Sequence, residues 1–300
     1  MKIGVPRALL YHRYKNLWKT FFAELGCEIL VSEKTNKKIL ADGINYSIDE
    51  SCLPAKIFMG HVYSLKDKCD YILVPRIESY GKGDDVCVKF NAIYDIVNNT
   101  FDMKLLDYNI NVKNGQTEKK GFIKMGKNLG YSYFKTLKAY KKAKEAYELA
   151  NRQKVTMQET KLNSDGPKIL IASHQYNTYD KLIGHPIADF IKKLGGVPLY
   201  ADAVDISESI ARSKELSGSL YWKYNKEMIG AIKLLEDKVD GIILLTAFPC
   251  GPDSLVNELI IRKSKKVPII NIIIDELQGE AGLQTRIESF MDILLSKRGM

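Results

Sequence analysis

Five cysteines, Cys27, Cys52, Cys69, Cys87 and Cys250, carry most of the chemistry this chain can offer. No two of them form a Cys-x-x-Cys pair, which removes zinc ribbons, thioredoxin-like redox motifs and ferredoxin-type cluster runs. Their odd number, with no export signal at the amino terminus, argues against a disulfide framework. Any metal must then be held by sulfurs distant in sequence. Cys52 lies in Glu50-Ser-Cys-Leu-Pro-Ala-Lys56 and Cys250 in Phe248-Pro-Cys-Gly-Pro-Asp-Ser254. Each has a proline two residues on, suited to a first helical turn, where its missing N–H costs nothing. A sulfur at a helix start has its thiolate favoured by the open amides and the dipole. Cys87 follows a polar loop, 78–85, and takes the place in the first half that Cys250 takes in the second. Three thiolates facing one cleft from two lobes suit an iron–sulfur cluster with one iron left open. Zinc with three sulfurs and a water suits them too, and spacing does not choose. Cys27 and Cys69 fall in helix-to-strand turns at the opposite end of the sheet and read as buried structural residues.

Polar groups gather at the same edge. Ser173-His174-Gln-Tyr176 follows the first strand of the second half, and Asp275 to Arg286 follows its last strand, with Glu280 opening a helix. Pro75-Arg76-Ile-Glu78-Ser79 takes the matching place in the first half. The candidates for substrate chemistry are therefore Arg76, Ser79, His174, Tyr176 and Glu280. Arg76 would stabilise negative charge on a reduced carbonyl, and His174 would supply or accept a proton near neutral pH. The bland alternative is that these residues cap helices and pin the lobes. His12, His61 and His185 read as helix or loop residues without chemistry.

The elements that must position these groups alternate strand and helix, which implies parallel sheets with helices on both faces. In the first half, strands are expected at 2–5, 28–31 and 71–74, with a weak one at 44–48; helices are expected before Gly26, near Lys37 and over 54–66. In the second half, strands are expected at 168–172, 197–200, 241–245 and 268–274. The segment 65–75 aligns with 235–245 at five of eleven positions, so the chain reads as a repeat. The expected class is α/β: two flavodoxin- or Rossmann-like lobes, 1–115 and 166–300, joined by a basic helical segment, 116–165. Three hundred residues fit two domains of ordinary size. Between 101 and 161, Lys and Arg number 14 against 6 Asp and Glu, so most of the net charge of +9 lies there. That segment suits an acidic partner or phosphates, or is a solvated helical face; without a recognition motif, nucleic acid is not the expected partner. The most apolar run, 267–274, is too short to span a bilayer, so a cytoplasmic protein without a membrane partner is expected. A dimer is allowed for.

With these pieces quoted, the chain resembles the D-component-like proteins related to 2-hydroxyglutaryl-CoA dehydratase. That group also takes in benzoyl-CoA reductase-like and double-cubane-cluster proteins, and the branch most similar here is fused or paired with acyl-CoA dehydratase activases. The carriers are Ile3-Gly-Val-Pro-Arg7, Cys52-Leu-Pro-Ala-Lys56, Pro75-Arg-Ile77, Cys250-Gly-Pro-Asp-Ser254, and Gly279-Glu-Ala-Gly282 with Thr285-Arg286. The resemblance implies an iron–sulfur cluster, most simply of the 4Fe–4S type, held by Cys52, Cys87 and Cys250. It also implies an ATP-dependent activator that delivers electrons, and an acyl-CoA or another small electron acceptor. The activity implied is that of a 2-hydroxyacyl-CoA dehydratase-like or reductase component. The alternative is a non-catalytic metal-binding scaffold of the same fold. The chain departs from the family pattern at Val88, where relatives often have proline, and at Leu277, where histidine is expected.

Overall fold

The computed structural model describes residues 1–277 and 279–297, with residues 280 and 297 described for backbone only. The chain divides into two compact units: residues 1–150 with 221–223, and residues 151–220 with those from 224 onward.

The first unit opens with β1 (Lys2–Val5) and α1 (Tyr11–Leu25). Tyr14, Leu17, Trp18, Phe21, Phe22 and Leu25 recur at helical spacing on α1, and all are buried. Gly26 closes the helix at φ 83°, a left-handed conformation that glycine adopts without steric cost. β2 (Glu28–Val31), α2 (Lys37–Asn45), α3 (Leu53–Ser64) and β3 (Tyr71–Leu73) follow. Next come β4 (Arg76–Ser79), α4 (Lys89–Thr100), β5 (Leu105–Leu106), β6 (Asn109–Asn111), α5 (Glu118–Asn128) and α6 (Tyr133–Leu162), whose last turns belong to the second unit. The main sheet is parallel with order β2-β1-β3-β5. Pro75 interrupts its inner edge, but the ladder resumes: Val74 N–H bonds to Leu106 O and Arg76 N–H to Tyr108 O. Beyond that break β4 and β6 pair as a two-stranded parallel ribbon.

Two expectations need correction here. Residues 44–48 are not a strand; Ile44 and Asn45 end α2, and residues 46–48 form the turn after it. The cause is packing. Asn36 caps α2 by accepting the Ile39 N–H at 2.9 Å, and two glycines let the helix lie directly on α3. A Cβ on Gly43 would stand 2.0 Å from Lys56 O, and one on Gly60 would stand 1.9 Å from Ile39 O. Residues 78–79, read as the start of a loop, end β4 instead, because backbone pairing with β6 continues past Pro75. α5 opens the segment 116–165, expected to be helical, which holds two helices. It packs antiparallel to α6, with Gly126 against Thr136 and Glu118 bonded to Tyr140 and Lys144. On α6, Ala139 and Ala143 are buried. Lys138 and Lys141 face solvent, whereas Lys142 pairs with Glu24 and Lys135 donates to Leu25 O.

The second unit repeats the plan with β7 (Lys168–Ala172), α7 (Gln175–Thr178), α8 (Gly184–Lys193), β8 (Val197–Tyr200) and α9 (Ile206–Ser213). It continues with α10 (Lys223–Leu235), β9 (Gly241–Ala247), α11 (Gly251–Lys263), β10 (Ile269–Ile274) and α12 (Glu280–Lys297). Its sheet is parallel with order β8-β7-β9-β10, the same order as the first. β7 and β9 are buried along their whole length, as parallel central strands must be. Ile287, Phe290, Met291 and Leu294 of α12 cover it.

The two sheets share devices as well as order. The aligned aspartates, Asp70 and Asp240, each accept the N–H of the lysine that opens the first strand of their sheet, Lys2 at 2.7 Å and Lys168 at 2.6 Å. The same alignment carried back along the chain sets Gly60 on Gly230, and a Cβ on Gly230 would meet Ser209 O at 1.7 Å. Each unit is thus a Rossmann-like lobe of flavodoxin-type strand order, and the two share a close glycine-mediated helix crossing at the same post.

Candidate functional site

A helix that leads into a parallel strand starts at the carboxyl edge of the sheet, where open α/β folds bind their ligands. Cys52 is the N-cap of α3, ahead of β3, and Cys250 is the N-cap of α11, ahead of β10. Cys87 precedes Val88, the N-cap of α4, ahead of β5. Cys52 O accepts the Ala55 and Lys56 N–H groups, and Cys87 O accepts that of Phe90, so local backbone bonds set each turn. All three thiols are half-buried, and the cysteines form no disulfide. Cys27 and Cys69 stand at the amino edge of the first sheet. There burial pushes the Cys69 thiol up, and a cavity of about 500 Å³ opens beside Cys69, Asp70 and Lys104. Among the described residues, no three His, Cys, Asp or Glu side chains stand close enough together to hold a metal ion.

In the second unit the carboxyl ends of β7 and β9 are neighbours at the point where strand order reverses. His174 lies just past β7, buried, with its Nε2 2.8 Å from Asp253 Oδ1. Asn225 of α10 donates to the same oxygen at 2.8 Å. Burial works to raise the Asp253 pKa, but the His174 charge and hydrogen bonds from His174, Asn225 and Cys250 hold it below the usual carboxylate range. Tyr176 stacks on the His174 ring at 5.1 Å and 25°, and Tyr224 meets it edge-on at 6.4 Å. Thus two expected residues, His174 and Tyr176, do come together. Asp253 and Asn225 complete the group and were missed as site residues, although Asp253 stands in the quoted Cys250-Gly-Pro-Asp element. Glu280 opens α12, but its side chain lies outside the described residues.

The first unit treats its expected residues differently. Arg76 forms a two-pronged ion pair with Asp95, its Nη2 reaching Oδ1 at 2.6 Å, and its guanidinium lies 4.2 Å over the Tyr94 ring. The hydrogen bond to Asp95 raises the arginine pKa further. Ser79 is buried and closes a turn, donating to Gly81 O at 2.8 Å. Both side chains are therefore occupied by local structure. His61, read as a residue without chemistry, sits at the carboxyl edge of β1 and β2. It is 0% exposed, with Ser32 Oγ 2.9 Å from Nδ1 and Thr35 Oγ1 3.0 Å from Nε2. Arg7 binds the same corner, its N–H to Ser32 Oγ at 2.8 Å and its Nε to Ser32 O at 3.0 Å. Only the spacing of Ser32 and Thr35 after β2 could have pointed to this cluster.

Known proteins add a family. Solved structures similar over nearly the whole chain include the Mn2+ complex of FpvC from Pseudomonas aeruginosa, at 10% identity, 99% coverage of both chains and TM-score 0.32. A Zn(II)-bound variant of AdcAII from Streptococcus pneumoniae is 14% identical, with 98% of this chain and 97% of that one covered and TM-score 0.30. No curated protein matches the sequence. A family model described as the CoA enzyme activase uncharacterised domain matches residues 2–204, well over half of the chain. By that match, the chain belongs to the CoA enzyme activase domain family.

Proposed function

We propose that this protein is an iron–sulfur electron-transfer or reductase component. In this reading it is charged by an ATP-hydrolysing activator and acts on an acyl-CoA or similar small acceptor. The observation that carries the reading is the placing of three half-buried thiols. Cys52, Cys87 and Cys250 each stand at the start of a helix on the carboxyl edge of their own sheet, where sulfur is most readily held as thiolate. The donor set fits a cluster in its chemistry: three cysteines, each near a helix start and none in a disulfide. Bound there, a cluster would supply single electrons at low potential; this chain's own residues would bind the acceptor and move protons, with His174 the best placed to do so. Membership of the CoA enzyme activase family supports the link to CoA-thioester chemistry.

Anaerobic reconstitution tests this directly. Iron and sulfide should bind wild-type protein, Cys27→Ser and Cys69→Ser alike, and should fail to bind Cys52→Ser, Cys87→Ser and Cys250→Ser. Full cluster loading in all three of the latter variants would reject the assignment. The locking of Arg76 by Asp95 and of Ser79 by its own turn favours a second reading, a metal-binding scaffold that does not turn over substrate. A colourless protein holding zinc after anaerobic purification would decide for it.

A further inference from the structure

A free sheet edge offers unpaired N–H and C=O groups to another strand unless the chain blunts it. Three edges of the two main sheets are blunted. β5 has only two residues, β2 has four and opens on the exposed Glu28, and β8 has four with Pro198 among them. β10 is different. Its six residues, Ile269-Ile-Asn-Ile-Ile-Ile274, include no charge and no proline, and among the described residues no strand lies beyond it. Ile242 N–H bonds to Pro268 O at 3.0 Å and Phe248 N–H to Ile274 O at 2.8 Å, so the even-numbered carbonyls face β9. Ile269, Asn271 and Ile273 therefore turn their backbone groups outward, and Arg286 of α12 reaches Asn271 O from that side. The Ile273 side chain is itself 43% exposed.

We propose that β10 pairs with β10 of a second copy of this chain, antiparallel about a two-fold axis at Asn271, so that two four-stranded sheets run on as one. In that register Asn271 faces its own counterpart, and Ile269 faces Ile273 of the other copy on each side of the axis. Each such pair exchanges two N–H···O bonds. Side chains directly opposite share a face, so the exposed Ile273 packs on the half-buried Ile269. Asn271 O, already bonded to Arg286, keeps a second lone pair for the incoming N–H. Charge selects the same arrangement. Lys265 and Lys266 precede the strand, and Asp275 and Glu276 follow it. An antiparallel copy sets each basic end beside an acidic one, with Lys266 opposite Glu276, whereas a parallel copy would set like beside like. Lys266 holds Asp237 at 2.9 Å within its own chain but is exposed, so it can serve both. The two-fold uses up both β10 edges, and the assembly closes as a dimer instead of growing into a fibre.

The full, metal-free chain serves for the test, because this pairing needs no cluster. Sedimentation equilibrium over a range of concentrations should give wild type twice the mass of one chain. Ile273→Lys places a charge where the side chain already meets solvent, and Ile273→Pro removes an N–H that β9 does not use. Both variants should weigh a single chain while keeping the circular dichroism of wild type. Amide hydrogen exchange in the peptide spanning 269–274 should slow as wild-type concentration rises, and should stay fast at every concentration in Ile273→Lys. A wild type that remains monomeric at its highest soluble concentration overturns the proposal. A dimer that survives both Ile273 variants is joined by another face and overturns it too. If Ile273→Pro does not fold, Ile273→Lys and the exchange of the 269–274 peptide decide.

Discussion

His61 shows what burial does to a single residue. Burial first, then the nearby His12 and Arg7 charges, push its pKa from the ordinary 6.5 down to about 3. The unfolded chain therefore takes up a proton before the folded one. The stability tied to this ring should be full above about pH 6.5 and fall as pH drops towards 3, by at most about 1.4 kcal/mol per pH unit. Denaturant titrations at several pH values within that window would show the slope, and His61→Gln should flatten it; equal slopes in both proteins would reject the account. Arg76 gives the opposite expectation. Its partner Asp95 is 57% exposed, so solvent screens the pair and Arg76→Ala should cost no more than about 1 kcal/mol in thermal unfolding. Sequence reading put His174, Tyr176 and the three thiols at the carboxyl edges of the sheets because strand ends are legible and residue types there speak for themselves. It passed over His61, Asn225 and Asp253 because their meaning lies in partners from other elements, and no spacing records those.

Elements were legible where periodicity and stops were strong. β1, β2, β7 and β8 fall where the apolar runs put them, and Gly26 ends its helix as read from the chain. The stretch 44–48 failed because a short apolar run fits helix and strand equally, and contact between α2 and α3 settled it. That contact makes a clear prediction. Gly60→Ala would drive a methyl into Ile39 O, and Gly230→Ala one into Ser209 O, with backbone on both sides. Each should destabilise its lobe by about 1–3 kcal/mol or more. Gly218→Ala, where nothing lies within 4 Å, should leave the melting temperature unchanged. Equal melting of all three variants would show that the helices can slide apart at no cost.

At the scale of the molecule, neither unit is one continuous segment. Residues 221–223 belong to the first, where Asp85 N–H bonds to Tyr221 O at 2.9 Å and Lys223 N–H to Asp85 O at 2.8 Å. The family match stops at residue 204, after β8, so it leaves out these residues and also β9 and β10. A fragment of residues 2–204 would keep β7 and β8 but strip β9 from the flank of β7, exposing Ile169 to Ile171. It should aggregate or lose part of its circular dichroism signal, while a monomeric fragment that unfolds as cooperatively as the full chain would contradict this. The repeated lobe has a further use: the chain supplies its own control experiment. Gly60 and Gly230, like Asp70 and Asp240, hold matching posts and do matching work, so they answer to architecture. Where the halves part company at equivalent posts, as with Cys52 opposite Trp222 or His61 opposite Ala231, architecture makes no demand. Those mismatched pairs rank positions for mutagenesis from one sequence, without reference to any other protein.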